Sequence, residues 1–255
     1  MSRPGWIMAR LAELQLAIIF LTRLPAGRMR DGSLSIGASA WAWPVAGVFV
    51  GGISALIYAA AWGLGLPAGP SAVLALGAGI LVCGGLHEDG FADLADGCGG
   101  GRDRAQKLEI MRDSRIGAYG VLAVIFSFGL RASAITSLSD PLLVIPCLIG
   151  VAAASRAPMA VWLYLLPAAR EDGLGHSSKQ INGMAVIVAI TFGCIFLLPL
   201  GGIAVLSVAI AVAIGSGAVA AFAVRQIGGQ TGDVLGAVQQ VSEVAAWIAC
   251  LAVLV

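Results

Sequence analysis

Seven long apolar runs, joined by two very different kinds of connection, restrict this chain more than any other feature. A helix needs about 20 mostly apolar residues to cross the hydrocarbon core of a bilayer. Residues 36–63, 68–86, 118–138, 140–167, 184–200, 201–224 and 235–255 each supply that length or come close to it. Only 11% of the 255 residues are charged and 59% are hydrophobic, where a soluble domain carries about 25% charged residues. Within lipid every backbone polar group must find a partner inside the segment, which helices of this length provide. The sequence therefore predicts an all-α, polytopic membrane helical bundle of about seven transmembrane helices, forming one integral-membrane domain over residues 1–255. Segment 7–24 carries Arg10, Glu13 and Gln15, so it is expected to be an amphipathic helix lying in the interface or packed inside the bundle.

The connections near 64–67, 139 and 200–202 are short and nearly uncharged, whereas those at 22–35, 87–117, 168–183 and 225–234 are long and polar. Arg23, Arg28 and Arg30 fall in the first polar loop, and Arg102, Arg104, Lys107, Arg112 and Arg115 in the second. Arg170 and Lys179 lie in the third and Arg225 in the fourth. Lys and Arg in excess mark the cytoplasmic side. Seven crossings from residue 36 onward put every polar loop on that side and every bare turn on the other, with membrane lipid as the surrounding partner. A formal net charge of +1 leaves no polyanion-binding surface, which argues against nucleic acid. Cys83, Cys98, Cys147, Cys194 and Cys250 are scattered without a paired spacing, so they are expected to be small packing residues and not disulfides or zinc ligands. Arg10 and Glu13 interrupt the first apolar stretch, and no cleavable leader is expected. A homo-oligomer is left open.

Half of the 14 acidic residues lie in 87–117. In His87-Glu88-Asp89-Gly90-Phe91-Ala92-Asp93-Leu94-Ala95-Asp96-Gly97 four carboxylates occupy nine positions. On a helix Asp89, Asp93 and Asp96, at i, i+4 and i+7, share one face. Like charges so arranged invite a hard divalent cation such as Mg²⁺; a merely solvated acidic face would be expected to mix in lysines. Next comes Gly97-Cys98-Gly99-Gly100-Gly101-Arg102, where Gly99 and Gly100 are candidates to let backbone amides approach a phosphate, with Arg102 to pair with it. Lys107, Arg112, Ser114 and Arg115 follow as further phosphate contacts, and Asp113 as a further metal ligand. Acids, glycines and basic residues within one loop are the three elements that metal-assisted phosphoryl transfer needs.

A second constellation is Gly228-Gly229-Gln230-Thr231-Gly232-Asp233. Gly229 and Gly232 permit an irregular backbone, Thr231 is a candidate phosphate donor, and Asp233 is either an N-cap or a second metal contact. Both constellations fall on the same expected side, so they can converge. Arg131, Arg156 and Glu243 fall inside expected spans, where charges are costly and by default functional. Arg156, between Ser155 and Pro158, marks an expected bend or break in its helix, and an Arg156–Glu243 ion pair is the structural alternative to a substrate contact. His87, beside the acids, is a candidate ligand or general base; His176 is the weaker candidate.

The first constellation, followed by Ile110-Met111-Arg112-Asp113-Ser114-Arg115-Ile116-Gly117, closely resembles the cobalamin synthase family, the adenosylcobinamide-GDP ribazoletransferases. Phe20-Leu21-Thr22-Arg23-Leu24-Pro25, Trp43-Pro44-Val45-Ala46-Gly47, Ser155-Arg156 and Gly229-Gln230-Thr231-Gly232-Asp233 resemble other motifs of that family in the same order. The one difference noted in the acidic stretch is Phe91, where Leu is more usual. The resemblance implies a Mg²⁺-dependent transferase in the cytoplasmic (inner) membrane of a prokaryote. It implies that adenosylcobinamide-GDP is joined to α-ribazole or its 5′-phosphate, with release of GMP. Asp89, Asp93 and Asp96, with Asp113 and Asp233, would then hold the metal. Arg102, Lys107, Arg112 and Arg115 would clamp phosphates, and His87 or one Asp would take the hydroxyl proton. Trp41, Trp43 and Trp162 are candidates for packing on the macrocycle. A CDP-alcohol phosphatidyltransferase-like enzyme is the nearest rival, because Asp93-Leu94-Ala95-Asp96-Gly97 resembles the start of its signature, but the Ala-Arg that should follow is missing. A secondary transporter is the other rival; against it, the acids crowd one loop and no internal repeat is visible.

Overall fold

Glycine and proline decide where the apolar runs turn. In the computed structural model, residues 5–29, 34–170 and 181–255 are described; Arg30, His176 and Lys179 lie outside them. Helix α1 (Trp6–Leu21) precedes a 3₁₀ segment (Ile36–Ala42) that runs directly into α2 (Trp43–Gly63). Then come α3 (Ala68–Cys83), α4 (Leu86–Gly100), the short α5 (Arg104–Ile110) and α6 (Ala118–Leu138). The chain continues through α7 (Pro141–Ala154), α8 (Ala157–Leu165), α9 (Gly183–Ile195), α10 (Gly202–Ile227) and α11 (Gly232–Leu254). Among the described residues there is no strand, only a single parallel bridge between Ala168 and Gln230.

Among the described residues six stretches are long and apolar enough to cross a membrane: Ile36–Gly63, Ala118–Leu138, Pro141–Leu165, Gly183–Leu200, Gly202–Ile227 and Gly232–Leu254. Their bounds lie within a few residues of those expected from the sequence. The seventh crossing differs. Helix α3 has 16 residues, about 24 Å at 1.5 Å per residue, short of the roughly 30 Å hydrocarbon core. It passes the same test only together with α4, from which it is bent by 88°. Gly84 (φ 66°) and Gly85 (φ 69°) make that bend, two successive left-handed residues that a side chain would strain. The acid-bearing segment is thus the second arm of a broken span, packed against α6 and α11, and not a free loop.

Helices α7 and α8 form one crossing broken at Ser155-Arg156, with Pro158 in the first turn of α8, where a missing N–H costs nothing. This interruption is the break expected at Arg156. Helix α2 packs on α7 through small residues: a Cβ on Gly47 would lie 2.3 Å from the carbonyl oxygen of Ala152, and one on Gly51 2.3 Å from that of Leu148. Backbones this close exclude any larger residue. Gly51→Val is expected to destabilise the protein by about 1–3 kcal/mol or more, read as a lower unfolding temperature in detergent.

Helix α1, with 16 residues, falls short of a crossing. It turns Glu13 inward, where the carboxylate accepts from Trp41 Nε1 at 2.6 Å and meets Arg10 at 2.7 Å, while Trp6, Ile7, Met8 and Leu11 stay exposed. Packing with its polar residue inward is one of the two expected arrangements. At one end of the bundle Tyr58 Oη donates to Ser139 O at 2.8 Å. At the other, Arg104 donates to Ile227 O (2.8 Å) and Ala169 O (3.0 Å), and Lys107 reaches Gln226. The second and fourth polar connections and the described start of the third therefore gather at one end, as the alternation of loops required.

Candidate active site

Helix α4 approaches α11 along its small side. A Cβ on Gly90 would fall 2.9 Å from Asp233 Cα, and one on Gly236 3.3 Å from Gly90 Cα. This close crossing brings the two acid-bearing segments together. Asp89 is exposed, Asp93 half-buried and Asp233 half-buried. Burial and the charges of Asp89, Asp233 and Asp96 all act on Asp93, and Arg170 is the cation opposing them. The Arg170 guanidinium lies 3.7 Å from Asp233 and donates to Leu108 O at 3.1 Å. Asp233 is not the N-cap of α11. Thr231 takes that role, accepting from Val234 N at 3.3 Å, and its hydroxyl donates to Asp233 Oδ2 at 3.1 Å. Thr231, expected as a phosphate donor, is therefore committed to capping, and Asp233 is left to face α4.

A cavity of about 110 Å³ opens beside these carboxylates. His87, Asp89, Gly232 and Asp233 line its polar side, and Trp43 and Met159 belong to its apolar wall. Trp43 itself is 1% exposed; Trp41 is bonded to Glu13, and Trp162 lines a separate apolar pocket. Among the described residues no group of three or more His, Cys, Asp or Glu side chains is already drawn into ligating geometry. The donor set nevertheless suits a hard cation: Asp89, Asp93 and Asp233 offer only carboxylate oxygens, the preferred ligands of Mg²⁺, and among the described residues Arg170 is the cation that acts on Asp93.

Other expected site residues are occupied elsewhere. Asp96 is 7% exposed, and its two oxygens accept from Gly117 N (2.7 Å) and Gly120 N (2.8 Å) at the start of α6. A carboxylate held by helix N-terminal amides ties α4 to α6. A Cβ on Gly117 or Gly120 would come within 2.5 Å and 2.3 Å of that carboxylate, which accounts for both glycines. Gly99 and Gly100 do not form a phosphate loop, because α4 stays helical through Gly100. A Cβ on Gly99 would strike the Tyr119 ring at 2.5 Å, so its smallness serves packing. Gly229 fits against Pro167, whose carbonyl oxygen would lie 2.2 Å from an added Cβ.

Asp113 and Arg115 pair with each other at 2.7 Å on the turn between α5 and α6, and hydrogen bonds from Arg115 hold the Asp113 carboxyl below its ordinary range. Asp113 is not among the charges that act on Asp93. Arg112 and Ser114 are exposed on the same turn and Arg102 is exposed between α4 and α5, while Lys107 is bonded to Gln226.

Deeper in the bundle, Arg131 pairs with Glu243 at 3.2 Å and with Glu88 at 3.4 Å. The structural alternative of an Arg156–Glu243 pair is thereby corrected, since Glu243 is taken by Arg131. Arg156 is 2% exposed and donates to Ala152 O (2.7 Å) and Cys83 Sγ (3.2 Å), with Nε unpartnered. His87, also 2% exposed with Nε2 unpartnered, stands between this inner polar region and the carboxylate cavity, lining both. Sequence patterning missed Arg170, a single cation in a polar loop with nothing local to distinguish it. It also missed Glu88, whose place in the acidic run concealed that it faces inward.

A bundle of spanning helices, with a cluster of carboxylates beside Arg170 and a small cavity, defines a polytopic membrane protein with a polar site where α4 meets α11. The chain belongs to the cobalamin-5-phosphate synthase family, whose model matches residues 13–251. It is 46% identical over 238 residues to the adenosylcobinamide-GDP ribazoletransferase of Bradyrhizobium diazoefficiens, covering 92% of this chain and 91% of that one. It is 43% identical over 235 residues to the protein of the same name from Mesorhizobium japonicum, with 92% and 91% covered. The Azorhizobium caulinodans protein of that name is 40% identical over 250 residues, with 92% and 93% covered. No solved structure matches the chain.

Proposed function

We propose that this protein joins adenosylcobinamide-GDP to α-ribazole, or to its 5′-phosphate, and releases GMP. Membership of the family supports the reaction. The observation that supports the site is the convergence of Asp89 and Asp93 on α4 with Asp233 on α11. A ribose hydroxyl oxygen of ribazole bonds to the phosphorus that bears cobinamide, and the bond from that phosphorus to the GMP oxygen breaks. Asp89, Asp93 and Asp233 would hold Mg²⁺, which when bound neutralises charge on the diphosphate and on departing GMP. His87, at the cavity wall with an unpartnered nitrogen, takes the hydroxyl proton. Arg170, Arg102 and Arg112 hold phosphate oxygens, a positioning role. Support for this is that Arg170 reaches Asp233 and that the other two are exposed.

The site faces the cytoplasm from the inner membrane of a prokaryote, because Lys and Arg crowd the same end of the bundle as the acids. Bilayer lipid covers exposed residues such as Leu122, Ile125 and Phe126 of α6. The test is a GMP-release assay on the purified chain with GDP-activated cobinamide, ribazole and Mg²⁺. Release that requires ribazole, stops on adding EDTA and returns with excess Mg²⁺ is the expected result. Equal turnover with CDP-diacylglycerol as donor, or release indifferent to EDTA, would overturn the proposal.

A further inference from the structure

The glycine contact between α4 and α11 lets the two helices approach, but flat glycine surfaces do not interlock. Gly90 and Gly236 set a distance without fixing how far one helix slides along the other. A directional link is needed for that, and it lies just inside the carboxylate site. Arg131 of α6, 2% exposed, sends one nitrogen to Glu243 of α11 (3.2 Å) and the other to Glu88 of α4 (3.4 Å). Its Nε donates to Ser127 O at 3.3 Å. Each glutamate is also held on α11: Gln240 Nε2 donates to Glu88 Oε1 at 3.0 Å, and Gln239 Nε2 to Glu243 Oε2. Ser127 Oγ closes the arrangement by donating to Gln240 Oε1 at 2.8 Å.

We infer that Arg131 is a positioning residue for the carboxylate site, joining Glu88 to Glu243 and so fixing the register of α4 against α11. This rests on the proposed role of Asp89, Asp93 and Asp233 as metal ligands. Glu88 immediately precedes Asp89, and Glu243 shares a helix with Asp233. A shift of either glutamate therefore moves the ligands on its own helix. A planar guanidinium has the separated donors to hold two carboxylates at once; a lysine ammonium is a single point that cannot span them in the same way. Groups that orient metal ligands from behind change metal affinity or activity by about 10–100-fold when removed.

The test uses the purified full-length protein in detergent, with Mn²⁺ as the spectroscopic probe. Binding is read from the electron paramagnetic resonance signal of free Mn²⁺, folding from thermal unfolding, and turnover from GMP release. Arg131→Gln alone would strand two largely buried carboxylates, so the informative variant is the charge-free Glu88→Gln/Arg131→Met/Glu243→Gln. It is expected to unfold within a few degrees of wild type. It should bind Mn²⁺ at least about tenfold more weakly and lose kcat by a similar factor, with KM for the GDP-activated donor little changed. Arg131→Lys should move the same readouts in the same direction by less. A folded charge-free variant with Mn²⁺ affinity within twofold of wild type would overturn the inference. Should that variant not fold, Glu243→Gln alone decides by the same threshold. Asp93→Asn separates the two ideas. Loss of Mn²⁺ binding in Asp93→Asn with none in the charge-free variant sinks only the role of Arg131. A wild-type protein that binds no Mn²⁺ sinks the metal site, and the positioning role with it.

Discussion

Asp93→Asn is expected to leave a folded, membrane-integrated protein that releases GMP at least about a thousandfold more slowly than wild type. The substitution keeps the size of the side chain and removes only charge and one acceptor. Asp93 lies among Asp89, Asp96 and Asp233, with Arg170 opposing them, so neutralising it relieves repulsion and folding should not suffer. On the proposed assignment, what is lost is a metal ligand. Metal neutralisation of a diphosphate contributes several kcal/mol in the transition state, and about 4 kcal/mol corresponds to about a thousandfold in rate. Thermal unfolding and gel filtration in detergent check the fold, and GMP release checks the chemistry. A near-normal rate from this variant would remove Asp93 from the site.

Asp96→Asn, three residues on, should behave in the opposite sense. Both Asp96 oxygens accept backbone amides, from Gly117 and Gly120, and hydrogen bonds to a charged group are worth about 1.5–3 kcal/mol each. An asparagine keeps one acceptor and turns an N–H₂ group toward the other amide. The expected cost is about 2–4 kcal/mol of stability, seen as a lowered unfolding temperature. The fraction that stays folded should keep its metal affinity. Unchanged stability with lost Mn²⁺ binding would show that Asp96 belongs with the ligands after all.

The contrast between these two aspartates shows what the sequence could and could not disclose. Asp89, Asp93 and Asp96 occupy equivalent places in a helical repeat, and nothing local distinguishes them. Their fates diverge because Gly117 and Gly120, in a different segment, deliver two amides to one of them alone. The spans were legible, since about 20 apolar residues in succession admit few structures in lipid. The broken α3–α4 crossing was only half legible: the run 68–86 ends at the bend, and the acids of α4 conceal that it packs on α6 and α11. Arg131 and Glu243 stood out as charges among apolar residues, but not their partnership with Glu88, which depends on how three distant helices meet. Gly99 and Gly100 misled because a glycine that admits a phosphate and one that admits a Tyr119 ring look identical in the chain. Asp113 and Arg115 looked like a ligand and a clamp, yet two residues of separation let them satisfy each other.

One consequence concerns biosynthesis. Asp89 and Asp93 emerge from the ribosome long before Asp233, and the tether on Glu88 is incomplete until Glu243 has entered the membrane. A partly inserted polypeptide therefore carries half a site, with no opposing wall and no fixed register. On the proposed assignment, activity should switch on only once α11 is threaded home.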